Sequence, residues 1–212
     1  MECISIFDML KIGIGPSSSH TLGPWRAAER WINHLKKEDV FENVNSIKVD
    51  LYGSLSLTGK GHATDLAVIL GLSGMDPEYI PINEINSLVT ATKNTKQLKF
   101  GNSFNISFDP SSDIIFNKEF LPFHANAIKF KGFNQGNLVS SDTYYSIGGG
   151  FVVREELIHA KENIEIIIKD GNRIEENSNQ ILDFTKEVKN MSNENKVKII
   201  ETLWRIIYSN NE

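Results

Sequence analysis

At the start of a predicted amphipathic helix stands the stretch Lys11-Ile12-Gly13-Ile14-Gly15-Pro16-Ser17-Ser18-Ser19-His20-Thr21. Its two glycines and its proline disfavour a regular helix or strand. Hydroxyl groups at a helix start can cap the helix, and the free backbone N–H groups there attract anions. A plain serine cap would need one hydroxyl and no imidazole. We therefore predict a carboxylate-binding turn beside His20, formed by Ser17, Ser18, Ser19 and Thr21.

The segments that follow this stretch have clear periodicities. Apolar residues at spacings of three and four predict an amphipathic helix from Thr21 to Lys37. Alternation predicts a half-buried strand from Ser46 to Leu51. We interpret Gly53 to Gly61 as a glycine-punctuated turn and the dense apolar run from His62 to Leu72 as a buried helix. Both His20 and His62 are thus predicted at helix N-termini.

The remaining segments favour an α/β fold of the α+β kind, with packed helices and a mixed sheet that has an antiparallel component. We predict a helix from Pro81 to Gln97, and two short strands between Phe100 and Phe116 around the turn at 109–112. A hairpin is predicted from the strands Ala127 to Phe133 and Leu138 to Ile147. We also predict a short helix at Ser5 to Leu10, a strand at Ile164 to Ile168, and a domain boundary that separates residues 1–176 from a helical extension, 177–212.

Two further places could contribute polar groups to a site. His124 precedes a predicted strand, and Asn126 should lie on the same side two residues later. Near the end of the hairpin, Ser146 is followed by the glycines Gly148, Gly149 and Gly150, whose exposed N–H groups could bind an anion. A flexible hinge is the alternative interpretation of these glycines.

Four blocks of sequence resemble one known family. They are SIFD with KIGIGPSSSHTLGP (5–8 and 11–24), GKGHATD (59–65), FHANA (123–127) and YYSIGGGF (144–151). In this order they resemble the beta chain, or N-terminal domain, of iron-sulfur L-serine dehydratases, also called L-serine ammonia-lyases. The resemblance implies conversion of L-serine to pyruvate and ammonia with a 4Fe-4S cluster. It also implies a fold like the allosteric substrate-binding domain of some phosphoglycerate dehydrogenases.

The cysteine count limits where such a cluster could be held. The chain has one cysteine, Cys3, whereas a 4Fe-4S cluster is held by several thiolates. We therefore expect no metal ligands in this chain, and we expect the cluster on an alpha subunit or on a further domain of a longer polypeptide. We also expect the complete enzyme to be a homo-oligomer.

Composition excludes other classes of partner. The 212 residues are 40% hydrophobic and 23% charged, and 22 basic against 27 acidic residues give a net charge of −5. Without a basic cluster, nucleic acid is not an expected partner. No apolar run approaches the roughly 18 residues of a membrane span, and no signal sequence is evident. We predict a cytoplasmic protein that does not bind membranes.

Removal of the weakly acidic α-proton of serine needs a base that is neutral near pH 7, which imidazole supplies best. His62 and His20 are the candidates, with His62 favoured as the base and His20 as a partner of the substrate or leaving group. Thr64, which lies beside His62, joins the predicted substrate-binding residues. The alternative is a serine-sensing regulatory module without chemistry. A pyridoxal-phosphate enzyme is disfavoured, because its only candidate lysine, Lys48, falls in mid-strand.

Overall fold

The protein is a mixed α/β domain, as the sequence predicts. The computed structural model describes residues 17–156, of which those up to 155 belong to one compact unit. The predictions for Ser5 to Leu10, Ile164 to Ile168, the boundary after residue 176 and the helical extension concern residues outside this described part. Within residues 17–156, no helix is both long enough and apolar enough to cross a membrane.

The chain first forms a π-helical turn, Ser18–Leu22, which continues directly into helix α1, Gly23–Lys37. Helix α1 is amphipathic, and its apolar side, which includes the fully buried Trp25 and Trp31, faces the core. Within residues 17–154, four further helices follow: α2, Gly53–Thr58; α3, Thr64–Leu72; α4, Ile82–Thr95; and α5, Pro110–Asp113. Single 3-10 turns occur at Phe41–Asn43 and Gly59–His62.

Seven strands in the described part form one sheet. They are β1, Ser46–Tyr52; β2, Gln97–Phe100; β3, Phe104–Ser107; β4, Ile114–Phe116; β5, Asn126–Asn134; β6, Asn137–Gly148; and β7, Phe151–Arg154. Their order is β2-β3-β1-β5-β6-β7, with β4 paired to β1 off this path. Strand β1 runs parallel to β3 and β4 and antiparallel to β5, so the sheet is mixed.

Helices α1 and α3 approach each other unusually closely. A Cβ atom on Gly71 of α3 would lie 2.6 Å from the Trp25 carbonyl oxygen and 2.8 Å from the Ala28 Cβ atom. Near the start of the same two segments, Thr21 contacts the backbone of His62. The earlier contact, Thr21 with His62, and the later contact, Trp25 with Gly71, follow the same chain direction in both segments. The turns that precede α1 and α3 therefore lie side by side. This packing determines where the two histidines can meet.

Most predicted elements are present, with shifted ends. The predicted helix at Thr21 to Lys37, the strand after it, the helix at Pro81 to Gln97 and the hairpin are confirmed as α1, β1, α4 and the pair β5–β6. The region from Phe100 to Phe116 contains β3 and β4 with helix α5 between them. The resemblance to the phosphoglycerate dehydrogenase domain stays a prediction.

The prediction for Gly53 to Gly61 is wrong. This segment is helical, because Leu55 is fully buried and anchors α2 against the core. His62 consequently ends a 3-10 turn, and α3 begins only at Thr64, after Ala63 in a left-handed conformation with φ +56°. His20 likewise lies inside the π-helical turn. Neither histidine therefore stands at the N-terminus of an α-helix.

The end of β1 yields a prediction about stability. Gly53 has φ +55°, and a Cβ atom there would lie 2.2 Å from the Ala125 carbonyl oxygen. Backbone strain and the collision should together make Gly53→Ala lower the free energy of unfolding by about 3 kcal/mol or more. Urea denaturation measures this loss.

Two glycines provide matched controls. Gly136 has φ +83° and open space where a Cβ atom would lie. Gly136→Ala therefore introduces backbone strain without a collision and should lower the free energy of unfolding by about 1 kcal/mol. Gly61 has neither a positive φ nor a close neighbour, so the free energy of unfolding of Gly61→Ala should stay within about 0.5 kcal/mol of that of the parent. Equal losses at Gly53 and Gly136 would contradict the collision.

Candidate active site

The fold brings His20 and His62 together from two separate turns. Their ring centroids lie 5.1 Å apart, and the rings are tilted by 45°. His20 belongs to the π-helical turn before α1, and His62 belongs to the 3-10 turn before α3. The two candidate bases are thus neighbours.

His20 is held at both ring nitrogens by serine hydroxyls. Its Nδ1 atom lies 2.9 Å from Ser19 Oγ, and its Nε2 atom lies 2.9 Å from Ser54 Oγ. Burial of the ring, and secondly the charge of the neighbouring His62, lower the pKa of His20 from its ordinary value of 6.5, while a hydrogen bond with Ser54 opposes this shift. The neutral form of His20 is therefore favoured near pH 7.

The imidazole of His62 has a different environment. Among the described residues, no hydrogen bond is made to its ring, and its backbone carbonyl accepts the hydroxyl of Thr21 at 3.0 Å. A ring nitrogen of His62 is therefore open to another group, whereas both ring nitrogens of His20 are engaged.

Ser54 is a site residue that the sequence pattern does not predict. This residue follows Gly53 at the end of β1, inside the segment that was interpreted as a plain turn. Its backbone N–H donates to the Ala125 carbonyl at 2.8 Å, which fixes its hydroxyl beside His20. A serine after a glycine at a strand end was the available signal, since such a glycine can turn the chain sharply.

The two threonines have buried hydroxyls that bind backbone. The Thr21 hydroxyl donates to the His62 carbonyl, and the Thr64 hydroxyl donates to the His20 carbonyl at 2.6 Å. Both side chains are 1% exposed or less. Their predicted role in substrate binding is untested, but their donor protons are already used.

The three serines of the turn remain partly open. Ser17 occupies the position before the π-helical turn, and its hydroxyl makes no cap hydrogen bond. Its Oγ atom lies 3.3 Å from Ser19 Oγ, and Ser18 is exposed. Ser17 therefore does not act as a plain helix cap, which leaves hydroxyls and the N–H groups of the first turn available to an anion.

A third segment, at the start of β5, lies beside the end of β1. Asn126 pairs with Gly53, and its Nδ2 atom donates to the Ser146 carbonyl at 3.3 Å. Its Oδ1 atom is buried and has no hydrogen-bond partner in the described part. The backbone N–H of Asn126 donates to His124 Nδ1 at 3.1 Å, so these two predicted residues do contact each other. A buried amide oxygen without a partner is a candidate for binding a ligand donor.

Ser146 ties strand β6 to the histidine turn. Its hydroxyl donates to the Ser19 carbonyl at 2.8 Å. A Cβ atom on Gly23 would lie 1.9 Å from Ser146 Oγ, so only glycine allows this approach. The sequence analysis selected Ser146 but did not recognise Gly23.

The glycines Gly148, Gly149 and Gly150 all have positive φ; Gly148 ends β6, and Gly149 and Gly150 form the turn to β7. Gly150 borders a cleft of 320 Å³ with Arg26 and Arg30, whose lining includes neither histidine. The structure therefore brings Ser146 to the histidine pair, while the predicted anion site at these glycines has no described contact with that pair.

The described residues do not fit an iron-sulfur cluster. Within residues 17–156, no group of three or more His, Cys, Asp or Glu side chains is arranged to hold a metal ion. The single cysteine, Cys3, lies outside the described part. Ligands for a 4Fe-4S cluster would have to come from elsewhere.

Comparisons with known proteins place this chain in a family. The L-serine dehydratase TdcG of Escherichia coli is 44% identical over 163 residues, which are 76% of this chain and 36% of that protein. The L-serine dehydratase of Haemophilus influenzae is 44% identical over 154 residues, covering 72% of this chain and 34% of that protein. That of Streptomyces coelicolor is 41% identical over 159 residues, covering 74% and 35%. The chain spans about a third of the length of these relatives.

A family model described as the serine dehydratase beta chain matches residues 5–157, well over half of the chain. The match includes every residue of the histidine turns, Ser54, Asn126 and Ser146. The chain belongs to the serine dehydratase beta chain family.

Proposed function

We propose that this chain forms the proton-transfer part of an L-serine ammonia-lyase, which converts L-serine to pyruvate and ammonia. The observation that carries the proposal is the His20–His62 pair, with ring centroids 5.1 Å apart. The relatives reported above are each named L-serine dehydratase. No observation favours the serine-sensing alternative over this function.

His62 is the proposed base for the α-proton of serine. Its ring has no hydrogen-bond partner among the described residues, so a nitrogen lone pair can reach a substrate. A positioned general base is worth about 10²- to 10⁴-fold in rate. His20 is the less suitable base, because serine hydroxyls already engage both of its ring nitrogens.

His20 would act as the neutral partner of His62. A charged His62 this close disfavours protonation of His20. Burial and the charge of His62 both lower the pKa of His20. When His62 accepts the α-proton, His20 stays neutral. It would hydrogen-bond to the substrate or its leaving hydroxyl through Nδ1 once Ser19 releases that atom, while Ser54 orients the ring through Nε2.

The zwitterion of serine would be bound by groups on either side of the pair. Ser17, Ser18 and Ser19 offer hydroxyl and N–H donors for the carboxylate, which is favoured at the start of a helix. The unpartnered Oδ1 atom of Asn126 offers an acceptor for the ammonium group. His124 and Ser146 support Asn126 through its backbone N–H and side chain, respectively.

The rest of the enzyme would lie outside this chain. With one cysteine in 212 residues, the chain cannot supply a set of cluster thiolates. The proposed partner is a cluster-bearing alpha domain or subunit, which would complete the site next to the histidine pair. The homo-oligomer and the cytoplasmic location expected from the sequence remain proposals.

Replacing His62 tests the assignment of the base. In the complete enzyme, His62→Ala should lower turnover of L-serine about 100-fold or more, because the positioned proton acceptor is lost. Exchange of the substrate α-hydrogen with solvent deuterium should disappear as well. Pyruvate formation and NMR of recovered serine measure both effects.

His34 provides the control, since its ring contacts Arg154 in a different part of the fold. His34→Ala should retain most of the turnover and the exchange. Near-normal turnover of His62→Ala at saturating serine would remove His62 from catalysis.

The serine turn yields a second kinetic prediction. Ser18→Ala should raise the KM for L-serine roughly 10- to 100-fold with little change in kcat, because a hydrogen bond to a charged group contributes about 1.5–3 kcal/mol. Ser19→Ala should raise KM and also lower kcat, because the Ser19 hydroxyl contacts His20. Steady-state kinetics of the complete enzyme separate these effects.

Ser87 is exposed on helix α4 and donates to Glu84 within that helix. Ser87→Ala should therefore have parental kinetics. Parental kinetics in Ser18→Ala and Ser19→Ala as well would refute carboxylate binding by this turn.

A further inference from the structure

Two threonine hydroxyls join the histidine turns to each other. Thr21 Oγ1 donates to the His62 carbonyl at 3.0 Å, and Thr64 Oγ1 donates to the His20 carbonyl at 2.6 Å. Thr21 follows His20 directly, and Thr64 lies two residues after His62. Each histidine backbone is therefore held by the threonine that belongs to the other turn, and the two hydrogen bonds cross.

The hydroxyls have little capacity left for a substrate. A threonine hydroxyl has one proton to donate, and both protons point to carbonyl oxygens. The two side chains are also among the most buried polar groups, at 1% and 0% exposure. A substrate carboxylate needs donors, so neither threonine is suited to bind it.

The backbone around Thr64 is adapted to this arrangement. Ala63, between His62 and Thr64, has φ +56°, a conformation that residues with a side chain rarely adopt. A Cβ atom on Gly59 would lie 3.1 Å from Thr64 Oγ1, so glycine there leaves room for the threonine. An unfavourable conformation persists only where surrounding contacts hold it, and here the crossed hydrogen bonds flank it.

We propose that Thr21 and Thr64 are positioning residues that fix the separation of the two imidazoles, and that they do not bind the substrate. The kinetic consequence rests on the proposed function of His62. The effect on the separation of the two imidazole rings does not rest on that function, because it can be measured without turnover. Small displacements matter, since misplacing reacting groups by about 1 Å can cost on the order of 100-fold in rate.

Kinetics of the complete enzyme test the positioning role. Thr21→Val and Thr64→Val keep the shape of the side chain and remove the donor, so kcat should fall about 10- to 100-fold while KM changes by less than about 3-fold. Thr21→Ser and Thr64→Ser keep the donor and should restore most of the lost kcat. Both hydrogen bonds are proposed to have the same role. If one valine variant does not fold, the kinetics of the other valine variant are therefore sufficient for the test.

Thr92 provides a matched control. It is buried in helix α4, and its hydroxyl also donates to a backbone carbonyl, that of Leu88, at 3.0 Å. Thr92→Val should keep the parental kcat. A raised KM with unchanged kcat in Thr21→Val and Thr64→Val would overturn the proposal and make the threonines substrate ligands.

Titration of His20 separates this proposal from the proposed function. The charge of His62 contributes to the lowered pKa of His20, so loosening the pair in Thr21→Val or Thr64→Val should raise that pKa toward 6.5. Carbon-13-labelled histidine in the complete protein reports it by NMR. The serine variants and Thr92→Val should titrate like the parent. An unchanged His20 pKa in both valine variants would overturn the positioning role, whatever His62→Ala does to turnover.

Discussion

Two crossed hydrogen bonds, from Thr21 to the His62 carbonyl and from Thr64 to the His20 carbonyl, connect the turns that form the candidate active site. Each bond contributes only about 1 kcal/mol net to stability. Two such bonds could not hold a pair of free loops against the conformational entropy of their residues. Their role therefore depends on a framework that already places the turns side by side.

Packed helices and the sheet supply that framework. Gly71 lets α3 lie directly against the α1 backbone, so the segments before the two helices start together. Helix α1 is fixed in turn by Trp31, which stacks on Phe130 of β5 with ring centroids 5.1 Å apart. At the other side of the His20 turn, Ser146 of β6 donates to the Ser19 carbonyl. Large apolar contacts thus determine the position of the turns, and short polar contacts determine the spacing of their side chains.

The sequence predicts the elements better than it predicts the site. Strong periodicity identified α1 and the β5–β6 pair, because apolar spacing reflects which face is buried. Glycine content misled the prediction for residues 53–61, where buried Leu55 favours a helix and Gly53 alone makes the turn. The error placed His62 at a helix start and hid Ser54. His20 and His62 were both selected, but their contact depends on the close approach at Gly71, which no local pattern reveals.

The central claim is that His20 and His62 form one coupled pair in solution. The most direct test is an NMR titration of carbon-13-labelled His20 in the parent and in His62→Gln. The account predicts a His20 pKa below 6.5 in the parent that rises on removal of His62 yet stays below 6.5, because burial is the larger cause of the shift and the charge of His62 the second. A His20 pKa at or above 6.5 in the parent, unchanged by the substitution, would contradict it.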